Sequence, residues 1–163
     1  MITIGEAKIS EAEEIKKLLN YVWVDTYRDL FSDETIRFIT EEGQSCHNLK
    51  LEIENSDLLF TVAKYNSERI VGLSTAEKKD DGIFLKRLYV HPDFQRQGIG
   101  ISLLIHVLDN FKNAAAIYLE AEENNTKGIN FYKKYDFEVI DTKQYNLKGD
   151  KFSTLLMKKL VSN

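Results

Sequence analysis

Apolar residues at Ala12, Ile15, Leu18, Leu19, Val22 and Trp23 recur three and four positions apart, which predicts one amphipathic helix running to about Tyr27. Ile2 and Ile4 read as a first strand, and Ser10 with Glu13 three positions later reads as a capping box at the helix start. Ser32 and Ser45 read as two further caps, for two shorter helices before Asn55. From Asp57 the period becomes that of strands. Leu58–Tyr65, residues 70–77 and Gly82–Val90, separated by the turns Asn66-Ser67-Glu68 and Asp80-Asp81-Gly82, predict an antiparallel meander. His91-Pro92 ends the third run, because proline has no N–H to offer a ladder.

Helical spacing returns at Ile101, Leu103, Leu104, Val107 and Leu108, within a segment from Gly98 to about Asn110. Residues 116–121 then read as a strand and residues 126–135 as a helix. Residues 137–147 and 152–160, joined through Lys148-Gly149-Asp150, read as a closing hairpin. Together these elements predict an α/β fold on a mixed central sheet.

At 163 residues the chain suits one domain over residues 1–163, and 43% apolar with 29% charged residues is enough for a packed core. The longest apolar run, residues 99–108, is too short to cross a bilayer, and no basic-then-apolar leader opens the chain. The expectation is a soluble, cytoplasmic protein with no membrane partner. Cys46 is the only cysteine, so no internal disulfide forms. A net charge of −4 without a basic block argues against nucleic acid as partner; it fits either a cationic small substrate or ordinary solubility. His47, His91 and His106 lack the spacing of metal ligands, so no metal is expected.

The chemistry concentrates in Gln95-Arg96-Gln97-Gly98-Ile99-Gly100, set between a strand and a helix. There several backbone N–H groups have no helical partner, glycines let an anion approach the main chain, and the helix dipole adds about half a positive charge. This is a phosphate-binding pattern; a glycine-rich turn that only starts a helix is the plainer alternative. A dinucleotide fingerprint would need a third glycine at Leu103, and a Walker A loop would need Gly-Lys followed by Ser or Thr; neither is present.

The run Leu88-Tyr89-Val90-His91-Pro92-Asp93-Phe94-Gln95-Arg96-Gln97-Gly98-Ile99-Gly100 resembles motif A of the GNAT N-acetyltransferase superfamily, with its Gln/Arg-x-x-Gly-x-Gly/Ala core matched in full. Leu119-Glu120-Ala121, Asn125, Gly128, Phe131, Tyr132 and Phe137 are similar to its motif B. Gly128 replaces the usual alanine, and Asp136 replaces the usual glycine before Phe137, where aspartate tolerates a left-handed backbone better than most residues. The resemblance is close over residues 57–160. Trp23, Tyr27 and the helix near Ser32 are similar to the PaiA-like, polyamine-acetylating branch, which makes Trp23 and Tyr27 the substrate-binding candidates; core packing is the alternative for Trp23.

The resemblance implies a GNAT fold with about seven mostly antiparallel strands, flanking helices and a V-shaped splay between strands four and five. It also implies transfer of acetyl from acetyl-CoA to a primary amine, with CoA as product and a small molecule such as a polyamine as acceptor. A protein or peptide N-acetyltransferase and a non-catalytic acyl-CoA sensor are the alternatives. The implied cofactor contacts are Leu88, Tyr89, Val90, Gln95, Arg96, Gln97, Gly98, Ile99, Gly100, Asn125, Phe131, Tyr132 and Lys134. Within that set, the main chain at Leu88 and Val90 binds the pantetheine arm, and an N–H near Val90 serves as oxyanion donor. Arg96 and Lys134 are candidate partners of the phosphates, and Asn125 contacts pantetheine, caps its helix, or both.

By the same resemblance Tyr132 is the acid toward the leaving thiolate. Glu120 is the candidate base, turned away from Leu119 and Ala121 by strand alternation. Lys86 stands on the preceding strand where several relatives carry an acid, which leaves Glu77, a water chain or the substrate itself as alternative bases. The closing hairpin offers an edge for a homodimer.

Overall fold

The computed structural model describes residues 1–161, so the last two positions of the expected 1–163 domain lie outside the described residues. Seven strands, β1 (Ile2–Glu6), β2 (Leu58–Tyr65), β3 (Arg69–Lys79), β4 (Gly82–Val90), β5 (Ala116–Glu122), β6 (Glu138–Leu147) and β7 (Asp150–Leu160), form one sheet in the order β1-β2-β3-β4-β5-β7-β6. Only β4 and β5 run parallel; the other neighbours are antiparallel. The expected mixed α/β sheet of seven strands is therefore present.

Alternation along the strands gives the sheet two apolar faces. Val62 and Leu73 turn to one, where Ile15 and Leu19 of α1 (Ala12–Tyr27) and Leu49 of α3 (Cys46–Glu54) cover them. Ala63 and Val71 turn to the other, beneath Ile99 and Leu103 of α4 (Ile99–Asn110). The same face continues over Leu85, Ile117 and Leu119, packed against Leu104, Val107 and Ile129 of α5 (Thr126–Lys134). Among the described residues no helix is long and apolar enough to cross a membrane.

Four local expectations change. The Ser10–Glu13 capping box does not form: Ala7 donates to the Phe60 carbonyl, and a short 3-10 turn over Ile9–Glu11 follows, closed by Glu11 accepting from the Lys8 N–H at 2.9 Å. Ser32 and Ser45 do cap, accepting from Thr35 and Asn48, but α2 (Asp33–Arg37) runs on into a π-turn over Phe38–Gly43. β3 is longer than residues 70–77. The closing hairpin turns on two residues, Lys148 and Gly149 at φ 53° and 86°, so β7 starts at Asp150 instead of 152. After α5, Asp136 takes the left-handed conformation (φ 70°) that the motif's glycine would supply, and Phe137 donates to the Tyr132 carbonyl at 3.1 Å.

What positions the site is the parting of β4 from β5. The two strands pair only at Ile83–Ile117 and Phe84–Tyr118. On its other side β4 carries a bulge: Leu85 faces Ala76 and Arg87 faces Thr75, leaving Lys86 without a partner. A bulge bends and twists its strand. Here it falls where β4 leaves β5, while β5 continues in register with β7 as far as Glu122–Thr154.

Gly82 closes the narrow end of this V, where a Cβ would lie 2.9 Å from the Ala116 carbonyl oxygen and 3.0 Å from the Tyr118 ring. Gly82→Val should therefore lower stability by about 1–3 kcal/mol by overpacking, read as a shifted urea midpoint. An unchanged midpoint would mean that the strands do not close this tightly.

Candidate active site

The β4–α4 connection takes the shape its glycines allow. Arg96 (φ 64°) and Gly98 (φ 83°) are both left-handed, and Gly98 is the N-cap of α4. Among the described residues the backbone N–H groups of Arg96, Gln97, Gly98, Ile99, Gly100 and Ile101 have no protein acceptor. Successive free N–H groups in such a turn, at the positive end of a helix, form a concave anion site. Gly100 is confined from behind: a Cβ there would lie 3.2 Å from the Phe131 ring.

The open edge of β4 leads into this loop. His91 donates to the Val71 carbonyl on the β3 side, whereas the Val90 carbonyl accepts from Gln95 Nε2 at 3.0 Å. Alternation then turns the polar groups of Val90 and Leu88 toward the gap, and those of Tyr89 toward β3. Gln95 is braced further by Lys127, whose Nζ donates to Oε1 at 3.1 Å. Lys127 lay outside the residues expected at the site. Lys134 is exposed on the last turn of α5, with its ammonium over the Tyr135 ring.

Tyr132 stands beside the gap, partly buried and edge-on to Phe131 and Phe137. Burial, reinforced by the neighbouring Tyr89, pushes its phenol well above the ordinary range. Tyr27 is buried in the core and is shifted the same way, chiefly by burial, with the Tyr89, Asn125 and Tyr132 side chains beside it. Asn125 also caps α5 by accepting from the Gly128 N–H at 3.1 Å. Trp23 is half-buried against Tyr27 (4.3 Å between ring centroids) and stands beside the Tyr89 phenol. Trp23 and Tyr27 thus stand where α1 meets β4 and α5, as packing and as wall.

Glu120 lies on β5 across from the α4 face. It lines a cleft of about 310 Å³ with Phe84, Leu85, Lys86, Tyr145, Phe152 and Thr154. Its Oε1 accepts from Tyr145 and Thr154, both at 2.7 Å, while Lys143 stands 3.9 Å from Oε2. The bond to Glu120 is the main reason the Tyr145 phenol is raised. Lys86 reaches toward Glu52 at 3.8 Å, a carboxylate that Arg87 already holds at 3.0 and 3.1 Å. Glu120 and Tyr132 therefore approach the V from its two sides. Glu77 pairs with Phe84 and Leu58 across the sheet and is absent from the lining of the cleft.

Beyond the cleft, the N-terminus of α2 is tied to the hairpin turn. Asp150 Oδ2 accepts from the Ser32 N–H (3.0 Å) and hydroxyl (2.8 Å), and Thr35 Oγ1 donates to the Leu147 carbonyl (3.2 Å). Lys148 lies over the Phe38 ring, and Phe31 meets Phe152 edge-on at 5.0 Å. The neighbouring Thr35 hydroxyl, then the bonds from Ser32, hold the Asp150 carboxyl below its usual value. Tyr145, Phe152, Thr154 and this tie were not anticipated. The signal was the hairpin register, since a two-residue turn sets Tyr145 opposite Phe152.

Residues 19–137 match the acetyltransferase (GNAT) family. The chain is 28% identical over 147 residues to the spermidine N(1)-acetyltransferase of Thermoplasma acidophilum, covering 86% of this chain and 91% of that protein. It is 39% identical over 154 residues to N-alpha-acetyltransferase 50 of Danio rerio, covering 88% and 78%. A stretch of 74 residues is 35% identical to the UPF0157 protein YqkA of Bacillus subtilis, 45% of this chain but 22% of that one. The crystal structure of the PaiA N-acetyltransferase of Thermoplasma acidophilum in complex with coenzyme A superimposes with a TM-score of 0.85 at 26% identity, covering 99% of both chains.

Because the folded Asp150 carboxyl is depressed, its bonds stabilise the protein above the ordinary value of 3.8, and that stabilisation fades as pH falls through the lower, folded value. Asp150→Asn should therefore melt earlier than wild type at pH 7, and the gap should close in acid. A gap that persists unchanged at pH 2–3 would mean that the Asp150 charge contributes nothing to the tie.

Proposed function

The chain belongs to the acetyltransferase (GNAT) family and is an acetyl-CoA-dependent acyltransferase, and from that premise we propose that it acetylates the primary amine of a small cationic acceptor of the polyamine class. Acetyl-CoA supplies the activated acetyl thioester. The loop Gln95-Arg96-Gln97-Gly98-Ile99-Gly100, with its free N–H groups, fits the diphosphate, and the open edge at Leu88 and Val90 fits the pantetheine arm, with Tyr89 between them turned to β3. Asn125, Phe131 and Lys134 flank them on the α5 side.

One observation carries the small-acceptor reading: the tie of Ser32 and Thr35 to Leu147 and Asp150. An extended peptide needs an open groove between the N-terminal helices and the closing hairpin. Here that passage is bridged two register pairs beyond Tyr145 and Phe152. Inside it a carboxylate, Glu120, lies among aromatic side chains, surroundings that favour an ammonium ion. Similarity to a spermidine acetyltransferase supports the same class.

An alkyl ammonium holds its proton until about pH 10, so a base must take it before attack. Glu120 fills that role. Both hydroxyl bonds fall on Oε1, which leaves Oε2, with Lys143 at 3.9 Å, as the oxygen that receives the proton. Tyr132 stays protonated at neutral pH, and its raised pKa makes complete proton transfer to a thiolate more than about 2 kcal/mol uphill. It therefore acts by donating a hydrogen bond to the leaving sulfur. Trp23 and Tyr27 hold the wall on the α1 side of the acceptor.

Purified protein with acetyl-CoA and spermidine or short alkyl amines should release free CoA thiol. Glu120→Gln should lower kcat about 100-fold and Tyr132→Phe about 10-fold, with the KM for acetyl-CoA little changed. Silence across the amine panel despite tight coenzyme binding would favour a sensor, and faster turnover of N-terminal peptides would overturn the small acceptor. Gly98→Val, which forces a branched residue to φ 83°, should weaken coenzyme affinity at least tenfold by calorimetry. Undiminished affinity would remove the loop from the site.

A further inference from the structure

A second groove, of about 210 Å³, lies where α1, the start of β3 and the end of β4 meet, on the α1 side of the sheet and away from the α4 face. It is lined by Glu14, Lys17, Tyr21, Arg69 and His91. His91 is only 9% exposed, and its ring stacks on Tyr21 at 4.7 Å between centroids. Its hydrogen bonding is what makes the groove informative.

The Asp93 N–H donates to His91 Nδ1 at 3.1 Å, which places the ring proton on Nε2. That nitrogen faces Arg69 Nη2 at 3.4 Å. A guanidinium has donors only, so two N–H groups point at each other at the groove wall, and the buried imidazole proton has no acceptor among the described residues. Arg69 is held in this position with its guanidinium 5.3 Å above the Phe94 ring. Neither Arg69 nor Lys17 forms an ion pair among the described residues. The acidic side chain facing the groove, Glu14, already accepts from the Ile70 N–H at 2.8 Å.

Two opposed donors and a nearby ammonium are satisfied together by one multivalent oxyanion that accepts from all three. We propose that this groove binds a phosphoryl group, as inorganic phosphate or a phosphate monoester, separately from the Gln95–Gly100 loop. His91 Nε2–H and Arg69 supply directed bonds, Arg69 in the fork geometry suited to phosphate. Lys17 adds charge. His91 follows Val90 directly and starts the turn into the loop, so an anion here bridges α1 to the β4–α4 connection.

With three histidines in the chain, the test is direct. Protein labelled with ¹⁵N-histidine, kept saturated with CoA so that the loop is occupied, is titrated with inorganic phosphate, glycerol 3-phosphate or acetate at constant ionic strength. Phosphate should move the His91 Nε2 resonance saturably while those of His47 and His106 stay in place. Arg69→Gln should weaken the effect about tenfold, the loss of one charge-assisted contact. Lys17→Gln, on the exposed face of α1, should weaken it without disturbing the fold. A response to both phosphate and the ester identifies a monoester site, and a response to phosphate alone identifies a site for the free ion. An unmoved His91, an equal response to acetate, the same response in both variants, or a shift already complete on adding CoA would each overturn the proposal.

Discussion

The molecule depends on one constraint: among the described residues β4 and β5 are the only parallel neighbours in the sheet, and they stay paired for two residue pairs before they part. In a continuous sheet the polar edges of Leu88 and Val90 would be consumed by the next strand. The bulge at Lys86 bends β4 away while β7 keeps β5 straight, so that edge becomes available without an unpaired buried strand on the far side. The apolar face below supports the opening. Leu85 and Leu119, on either side of the V, are both buried against α4 and α5.

Charge is arranged around the opening in two ways. At its mouth, backbone N–H groups and a helix dipole present positive potential in an otherwise acidic chain without a mobile cation. Across the V stand hydroxyls and a carboxylate. Tyr27, Tyr89 and Tyr132 stand close to one another, and burial raises all three phenols above their ordinary value. A buried phenol that stays neutral avoids the cost of burying a charge. Glu120, in contrast, stays where the cleft is open and where two hydroxyls hold it in place.

Legibility followed sequence distance. The loop at residues 95–100 was readable because its glycines, the strand before it and the helix after it are contiguous, and Asp136 was readable because one residue's backbone preference decides the turn. Ser10 failed as a cap because Ala7 is bonded to Phe60, a contact more than fifty residues away that resets where the helix begins. Tyr145, Phe152 and Thr154 were missed for a related reason. A hairpin read with a three-residue turn has another register, and shifting a strand by one position turns its side chains to the opposite face.

By itself the sequence determined the order and kind of elements, the two-faced pattern of the strands and the glycine-led loop before α4, because each rests on spacing within a few residues. The tertiary structure decided which carboxylate meets which hydroxyl, how the cleft ends and where His91 is held against Arg69. Those contacts join positions 22 to 118 residues apart, and only the closing of the sheet brings them together.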